Sequence, residues 1–450
     1  MGRSITHDMT TGNPTKLILK FSIPMLIGNL FQQLYNMVDS IVVGRYEGKN
    51  ALAAVGTTGP LNFFIFSLVL GLASGISIVI SQYFGAKDEE NVRKGFATAS
   101  YTIVITSLIM GLIGFILSRP LLRLLNTPDS IINDSVTYMR IVCLGIIGIG
   151  VYNGIASILR AMGDSLTPLL FLVVACILNI ILDLLFVIQF GLGVAGVAYA
   201  TVISQIVAAV GCTIYALAKV KILRMPLNEF KPDKEIFKKC LKLGIPVALQ
   251  NALVSTSVMA LQSVINSYGE IVIAASTAAA RIEQLILQPG MSVGVAVSFF
   301  TGQNIGAGNI ERVKKGFKSA SMVIIGFSLI MMPIIYFGGG SIMRLFTTSD
   351  DVEVVRIGIE ALRVTCFFYS FVGMIFVTRN LLSGAGDVKI PMVMGFTEVV
   401  SRVIVSLVLA SFIGYNGIWW ATGLTWFFTS IVGLIRYYSG KWKNKSVVVH

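Results

Sequence analysis

Charge is what this sequence has least of. Only 13% of its 450 residues are Asp, Glu, Lys or Arg, against 55% that are hydrophobic, and a soluble domain carries about a quarter charged residues. A soluble globular protein is excluded, and a mean hydropathy of +0.81 points the same way. Histidine is almost missing: His7 and His450 stand near the two ends. A proton carrier inside an apolar span must then be a carboxylate and not an imidazole. The five cysteines, Cys143, Cys176, Cys212, Cys240 and Cys366, show no CxxC or other ligand spacing. They are expected to be reduced fillers of helix surfaces, with no metal site and no cofactor among them. No P-loop, HExxH or protein-kinase set occurs, so the chain is not expected to hydrolyse ATP or to be an enzyme. Gly191 to Gly196 fits GxGxxG, but it lies in a short segment between apolar runs with no soluble strand before it, so it is not a nucleotide site. The short alternating segments of a transmembrane barrel are absent as well.

Long apolar runs are what the chain has in plenty. Twelve candidate spans fall at about residues 17–43, 56–82, 97–117, 132–159, 168–190, 194–218, 243–267, 271–303, 320–337, 354–382, 390–413 and 417–437, each near the ~20 residues that cross a bilayer. The start does not read as a cleavable signal peptide, because Met1 to Lys16 is polar and no short apolar core precedes a small-residue cleavage site. The net charge of +13 sits in the short loops. That distribution speaks against a nucleic-acid partner and for topology signals. With the N-terminus inside, the inner segments hold 25 Lys and Arg and the outer ones hold six: Arg45, Lys49, Arg119, Arg123, Arg344 and Arg356. Both termini are therefore expected to be cytoplasmic, in a bacterial-type cytoplasmic membrane.

The two halves repeat each other. Leu19-Lys-Phe-Ser-Ile-Pro24 returns as Leu241-Lys-Leu-Gly-Ile-Pro246, and Gln82-Tyr-Phe-Gly-Ala86 returns as Gln303-Asn-Ile-Gly-Ala307. Gly163-Asp164 returns as Gly386-Asp387, and Gly196-Val-Ala-Tyr-Ala-Thr201 as Gly417-Ile-Trp-Trp-Ala-Thr422. The offset stays between 221 and 223, the mark of a duplication. Six is an even number of crossings, so both repeats enter from the same side. The expected fold is an all-α polytopic membrane protein. Its twelve transmembrane helices form two six-helix bundles related by a pseudo-two-fold axis along the membrane normal, with a cleft between them. On this reading residues 1–218 form the first lobe, 219–242 a cytoplasmic connector, and 243–450 the second lobe and tail. A monomer surrounded by membrane lipids suffices.

Polar residues inside spans are costly and mark function by default. Gln32, Tyr35, Asn36 and Asp39 fall at i, i+3, i+4 and i+7, on one helix face of the first span. Four acids lie well inside spans: Asp39, Asp183, Glu283 and Glu398. Glu398 and Arg402 are i, i+4 with the acid first, the favourable order for an ion pair, and read as structural. Glu283 is off the face formed by Thr277, Arg281, Gln284 and Gln288, and coupling, cleft lining and packing all stay open for it. Asp39 and Asp183 have no basic residue three or four positions away. Asn179 pairs with Asp183 at i, i+4, and Thr201 with Gln205. With Tyr138, four spans of the first half can present Tyr35, Asn36, Asp39, Tyr138, Asn179, Asp183 and Thr201 at similar depth. In the second half the corresponding positions are changed: Asn179 matches Arg402, Asp183 matches Ser406, and Asp39 falls on or beside Leu261. Burial disfavours the charged form of a carboxyl group, and a second acid nearby disfavours it further. Such a pair can hold a proton, and its loss creates a site for a cation. The competing reading is two separately hydrogen-bonded structural acids.

These residues together resemble the multidrug and toxic compound extrusion (MATE) family over nearly the whole chain. The likeness is carried by Ile23-Pro24, Gln32–Asp39, Ser81-Gln-Tyr-Phe-Gly-Ala86, Arg160-Ala-Met-Gly-Asp164, Asn179-x-x-x-Asp183 and Gln303-x-x-Gly306-Ala307. The chain is most similar to the branch with a carboxylate pair in the first lobe. That resemblance implies export of amphipathic, often cationic drugs by antiport with H⁺ or Na⁺. It implies coupling at Asp39 and Asp183, with Tyr35, Asn179, Tyr138 and Thr201 around them, and a bend of span one near Pro24. The second-half acidic site of the other branch is not reproduced; Glu283 is the nearest candidate. The alternative is a flippase for lipid-linked precursors of the same superfamily, which would need several cleft-lining basic residues to hold a phosphate. The buried basics available are Arg140, Arg281, Arg363 and Arg402.

Overall fold

A computed structural model describes residues 7–125, 127–226, 228–344 and 352–448; Arg3 and His450 lie outside them. The described chain is helical throughout. In order the helices are α1 (Pro14–Val42), α2 (Gly48–Gly85), α3 (Glu89–Leu124), α4 (Asp129–Leu144), α5 (Ile146–Ala161), α6 (Leu166–Asp183) and α7 (Gly193–Lys219). They continue with α8 (Lys234–Asn266), α9 (Glu270–Gly306), α10 (Ile310–Met343), α11 (Val352–Thr365), α12 (Tyr369–Gly384), α13 (Lys389–Ile413) and α14 (Asn416–Tyr438).

Ten helical stretches are long and apolar enough to cross a bilayer. The first, Pro14–Gly85, runs 72 residues and holds two crossings on either side of a π-helical turn at Val43–Glu47. The pair α4 and α5, bent by 48°, supplies one more crossing, which brings the number to twelve. They form two bundles of six. The pair covers residues 132–159, one span in the sequence. The bend falls at Gly145, where an added Cβ would lie 2.3 Å from Val202. The chain can approach α7 that closely only without a side chain.

Helix starts need partners for their free N–H groups, and hydrocarbon offers none. Short acidic caps fill this role. Asp88 accepts from Asn91 N at 3.0 Å ahead of α3, Asp164 accepts from Leu166 N and Thr167 N at 3.0 Å each ahead of α6, and Asp233 accepts from Ile236 N at 2.8 Å ahead of α8. Pro24, Pro60, Pro246, Pro289 and Pro333 lie inside helices, as does Pro120. All five cysteines are free and buried.

By contacts the chain divides into two compact units, at places other than residues 218 and 243. The first unit is Ile23–Ala248 with the short piece ending at Asp8; the second is Met9–Ser22 with the chain from Leu249 on. The connector and the first part of α8 thus belong to the first unit. The physical reason is close packing of α8 on α2: an added Cβ at Gly71 would lie 2.4 Å from Ala248 Cβ, and one at Gly75 would lie 2.5 Å from Gly244 N. Phe230 of the connector also packs edge-on against Phe96, at 5.9 Å between ring centroids, and Asp233 N donates to Thr98 Oγ1 at 2.9 Å. Residues 9–22 belong to the second unit because its side chains hold their backbone. Gln303 Oε1 accepts from Met9 N at 2.8 Å, and Arg312 donates to Thr11 O at 2.8 Å. Each exchange point, Ser22/Ile23 and Ala248/Leu249, falls within three residues of a helix proline, Pro24 or Pro246.

Candidate functional site

Asp39 lies near the end of α1 and Asp183 is the last residue of α6. Both helices then widen into π-helical turns, Val43–Glu47 after α1 and Leu184–Gln189 after α6. Such turns interrupt the regular ladder and are frequent at functional sites. Thr201 comes from α7 and Tyr138 from α4. All four residues belong to the first unit.

The structure brings the two acids together. The side chains of Asp39 and Asp183 are within hydrogen-bonding reach of each other. Asp183 and Asn179 are fully buried and Asp39 is 9% exposed. With its amide oriented to satisfy both neighbours, Asn179 donates to Asp39 Oδ1 at 2.9 Å and accepts from Thr201 N at 3.2 Å. The Tyr35 hydroxyl reaches Asp39 and lies 3.3 Å from Thr201 Oγ1. Tyr138 faces both acids and packs on an apolar cluster of Val42, Val43, Ala51, Val187, Val194 and Val197. Among the described residues no Lys or Arg forms an ion pair with either acid, and Asp183 Oδ1 has no partner. The arrangement is a buried double carboxyl with neutral donors around it and a valine layer packed against Tyr138.

Not every residue of the polar stripe joins it. Gln32 and Asn36 are exposed. On a helix of 100° per residue Asn36 lies about 60° to one side of Asp39, and Gln32 is about two turns away along the axis. Gln205 is buried on α7, one turn beyond Thr201.

In the second unit Arg281 and Gln284 are exposed, while Glu283 is half-buried and accepts a hydrogen bond from Thr365 Oγ1. The expected Glu398–Arg402 pair does not form. Glu398 is instead bound by Arg379 from α12, both side chains buried. Arg379 therefore leaves the count of inner-loop basic residues. The spacing within α13 could not reveal a partner that arrives from another helix. The remaining basics are spread out: Arg140 donates to Ser118 Oγ at 3.2 Å, and Arg363 donates to Tyr336 O at 3.2 Å. One further pattern, Gly290-Met-Ser292-Val-Gly294, has the spacing of a serine-hydrolase elbow. It lies in mid-α9, where Ser292 is buried and donates to Gln288 O at 2.9 Å, with no strand-to-helix turn to expose it.

Twelve apolar crossings in two duplicated bundles, with charged groups buried between helices, define a multi-pass membrane transporter. The family model described as MatE matches residues 24–185 and 246–408, one block in each repeat. The chain belongs to the MatE family, a family of multidrug efflux transporters and not of enzymes. It is 34% identical to the probable multidrug resistance protein YpnP of Bacillus subtilis, over 97% of this chain and 98% of that protein. It is 25% identical to the multidrug export protein MepA of Staphylococcus saprophyticus, over 90% of this chain and 89% of that protein. A crystal structure of MATE in the bent conformation superposes with a TM-score of 0.91 at 27% identity, covering all of both chains.

Asn179 gives the most local test of the site. A hydrogen bond to a charged group contributes about 1.5–3 kcal/mol, and about 1.4 kcal/mol is a factor of ten. Asn179→Leu keeps the branched heavy-atom skeleton of the side chain and removes the donor to Asp39. Drug efflux from proteoliposomes is expected to fall roughly tenfold or more, with the protein still eluting as a single species in detergent.

Proposed function

We propose that this protein exports amphipathic organic cations in exchange for a proton held between Asp39 and Asp183. One observation carries the reading: two buried carboxyl groups in hydrogen-bonding reach, with no basic partner. A carboxylate only accepts, so a hydrogen bond between two carboxyl groups requires a proton on one of them. Losing that proton leaves uncompensated negative charge among helices, which an organic cation can offset. Asn179, Tyr35 and Thr201 then hold the carboxylates in register, and the valine layer keeps water from leaking through. Inward proton movement supplies the work, roughly 2.3 kcal/mol per charge for each 100 mV. The multidrug names of the bacterial relatives support a drug-like cation as cargo. The excess of basic residues in alternate loops supports a cytoplasmic membrane with both termini inside, and two complete bundles in one chain support a monomer. Nothing favours the flippase reading: Arg379 is spent on Glu398, and no cluster of free basic residues lies within the spans, among the described ones, to hold a phosphate.

Efflux of ethidium from proteoliposomes, with a pH gradient and a Na⁺ gradient imposed separately, tests the proposal. The pH gradient alone is expected to drive efflux. Efflux driven by Na⁺ alone replaces the proton with Na⁺ at the same two acids, and no response to either gradient refutes antiport.

A further inference from the structure

The chain after α14 folds back onto the start of α10, both within the second unit. Gly440 has a φ of 68°, a left-handed conformation that a residue with a Cβ rarely takes. The chain reverses there, and Lys441–Asn444 form one short helical turn. Trp442 is buried in it, stacked on Tyr437 at 5.7 Å between ring centroids, and its Nε1 donates to Tyr437 O at 2.9 Å. Tyr437 in turn stacks on Phe317 of α10 at 3.8 Å. These rings hold the tail lysines Lys441, Lys443 and Lys445 at the end of α10 that carries Lys314, Lys315 and Lys318. Glu311 meets both groups. Lys314 donates to its carboxylate, and Lys443 and Lys315 add to the field that keeps this carboxyl below its usual range. Lys314 is thereby matched, and among the described residues the other five lysines form no ion pair.

The duplicated fold does not require this charge. Phe96, the repeat counterpart of Phe317, is also covered by a ring, that of Phe230 at 5.9 Å. Yet Asp88 to Ala97 around it hold three acids and two basic residues, whereas Asn309 to Lys318 hold one acid and four basic residues. Both stretches follow the second crossing of their repeat, so topology alone does not call for the difference. The surplus also stands at the edge of the bilayer. α14 is apolar enough to cross it, and Ile435 and Tyr438 in its last turn are 65% and 77% exposed. A tyrosine so placed marks the depth of the lipid headgroups. We propose that the start of α10 and the folded-back tail form a docking surface for anionic phospholipid, its phosphate seated among Lys315, Lys318, Lys441, Lys443 and Lys445 and its acyl chains against Ile435 and Tyr438. Lysine ammonium groups act as point charges, so the surface selects for negative charge over headgroup shape. The inference does not depend on coupling at Asp39 and Asp183.

The test titrates purified full-length protein in non-ionic detergent with dioctanoyl phosphatidylglycerol, dioctanoyl phosphatidylcholine or inorganic phosphate. Binding is read from the rise in melting temperature, and bound lipid is counted by native mass spectrometry. Phosphatidylglycerol is expected to bind, and phosphatidylcholine and phosphate are not at the same concentrations. A lysine near an anionic surface contributes about fivefold in binding. Lys441→Gln combined with Lys443→Gln and Lys445→Gln is therefore expected to weaken phosphatidylglycerol binding roughly tenfold or more. Lys219→Gln combined with Lys221→Gln and Lys234→Gln removes the same charge from the first unit and is expected to bind as wild type does. Trp442→Ala keeps every lysine but frees the turn, and is expected to bind about as weakly as the tail variant. Should Trp442→Ala not fold, the two triple variants decide. Equal binding of phosphatidylcholine or of inorganic phosphate, equal loss in the two triple variants, or wild-type binding by the tail variant or by a folded Trp442→Ala overturns the proposal.

Discussion

Asp39→Asn and Asp183→Asn are each expected to reduce ion-driven ethidium efflux to the level of protein-free vesicles, with yield and elution profile close to wild type. Asparagine preserves the size and most of the hydrogen-bonding capacity of the carboxyl group, so Asn179, Tyr35 and Thr201 keep partners. What it removes is the second acid. A lone carboxylate can accept from the amide N–H without any proton of its own, so on the proposed mechanism the link between proton and passenger breaks. The expected loss is large because the interaction is all-or-none. On the proposed mechanism, without exchange at the pair the gradient performs no work, whatever the remaining affinity for the drug. Substantial coupled efflux in both variants contradicts the assignment. Glu398→Gln is not expected to act this way, since Glu398 is tied to Arg379 in the other unit.

That ion pair has the second largest expected effect, on stability. The Arg379 and Glu398 side chains are 11% and 6% exposed, and breaking a buried pair by removing one partner costs about 3–5 kcal/mol because the other charge stays buried. Arg379→Gln is expected to lower both membrane yield and melting temperature in detergent. Adding Glu398→Gln is expected to recover most of the loss, because replacing both partners together is often close to neutral. Fluorescence-detected size exclusion after a heating series measures this. Single variants as stable as wild type remove the pair from the structural account, and a double variant as unstable as the singles shows that the loss has another origin.

Much of the fold was legible because a bilayer leaves few choices. Apolar runs of the right length, an offset constant to within two residues, and basic residues in alternate loops lead to twelve helices in two bundles with little room for error. The acid pair was legible for a related reason. Asp39 and Asp183 stand out because no basic residue lies three or four positions from either, and a lone acid in hydrocarbon demands a partner. What stayed hidden came from contacts between elements distant in sequence. Glu398 had a plausible partner in Arg402 at helical spacing, yet Arg379 arrives from α12 and takes it. Asn36 shares the polar stripe but not the contact, since it is exposed about 60° around α1 from Asp39. The exchange of residues 9–22 and of the first part of α8 between units is invisible to a repeat alignment. It depends on Gly71 and Gly75 meeting α8, and on Gln303 and Arg312 meeting the backbone of Met9 and Thr11.

The shared proton is tested most directly by proton release. Purified protein in weak buffer without Na⁺ is titrated with ethidium while an indicator dye reports pH. Wild type is expected to release about one proton per bound cation, and Asp39→Asn and Asp183→Asn to release none. Binding by wild type without release, or equal release from the variants, contradicts a proton held between Asp39 and Asp183 as the coupling ion.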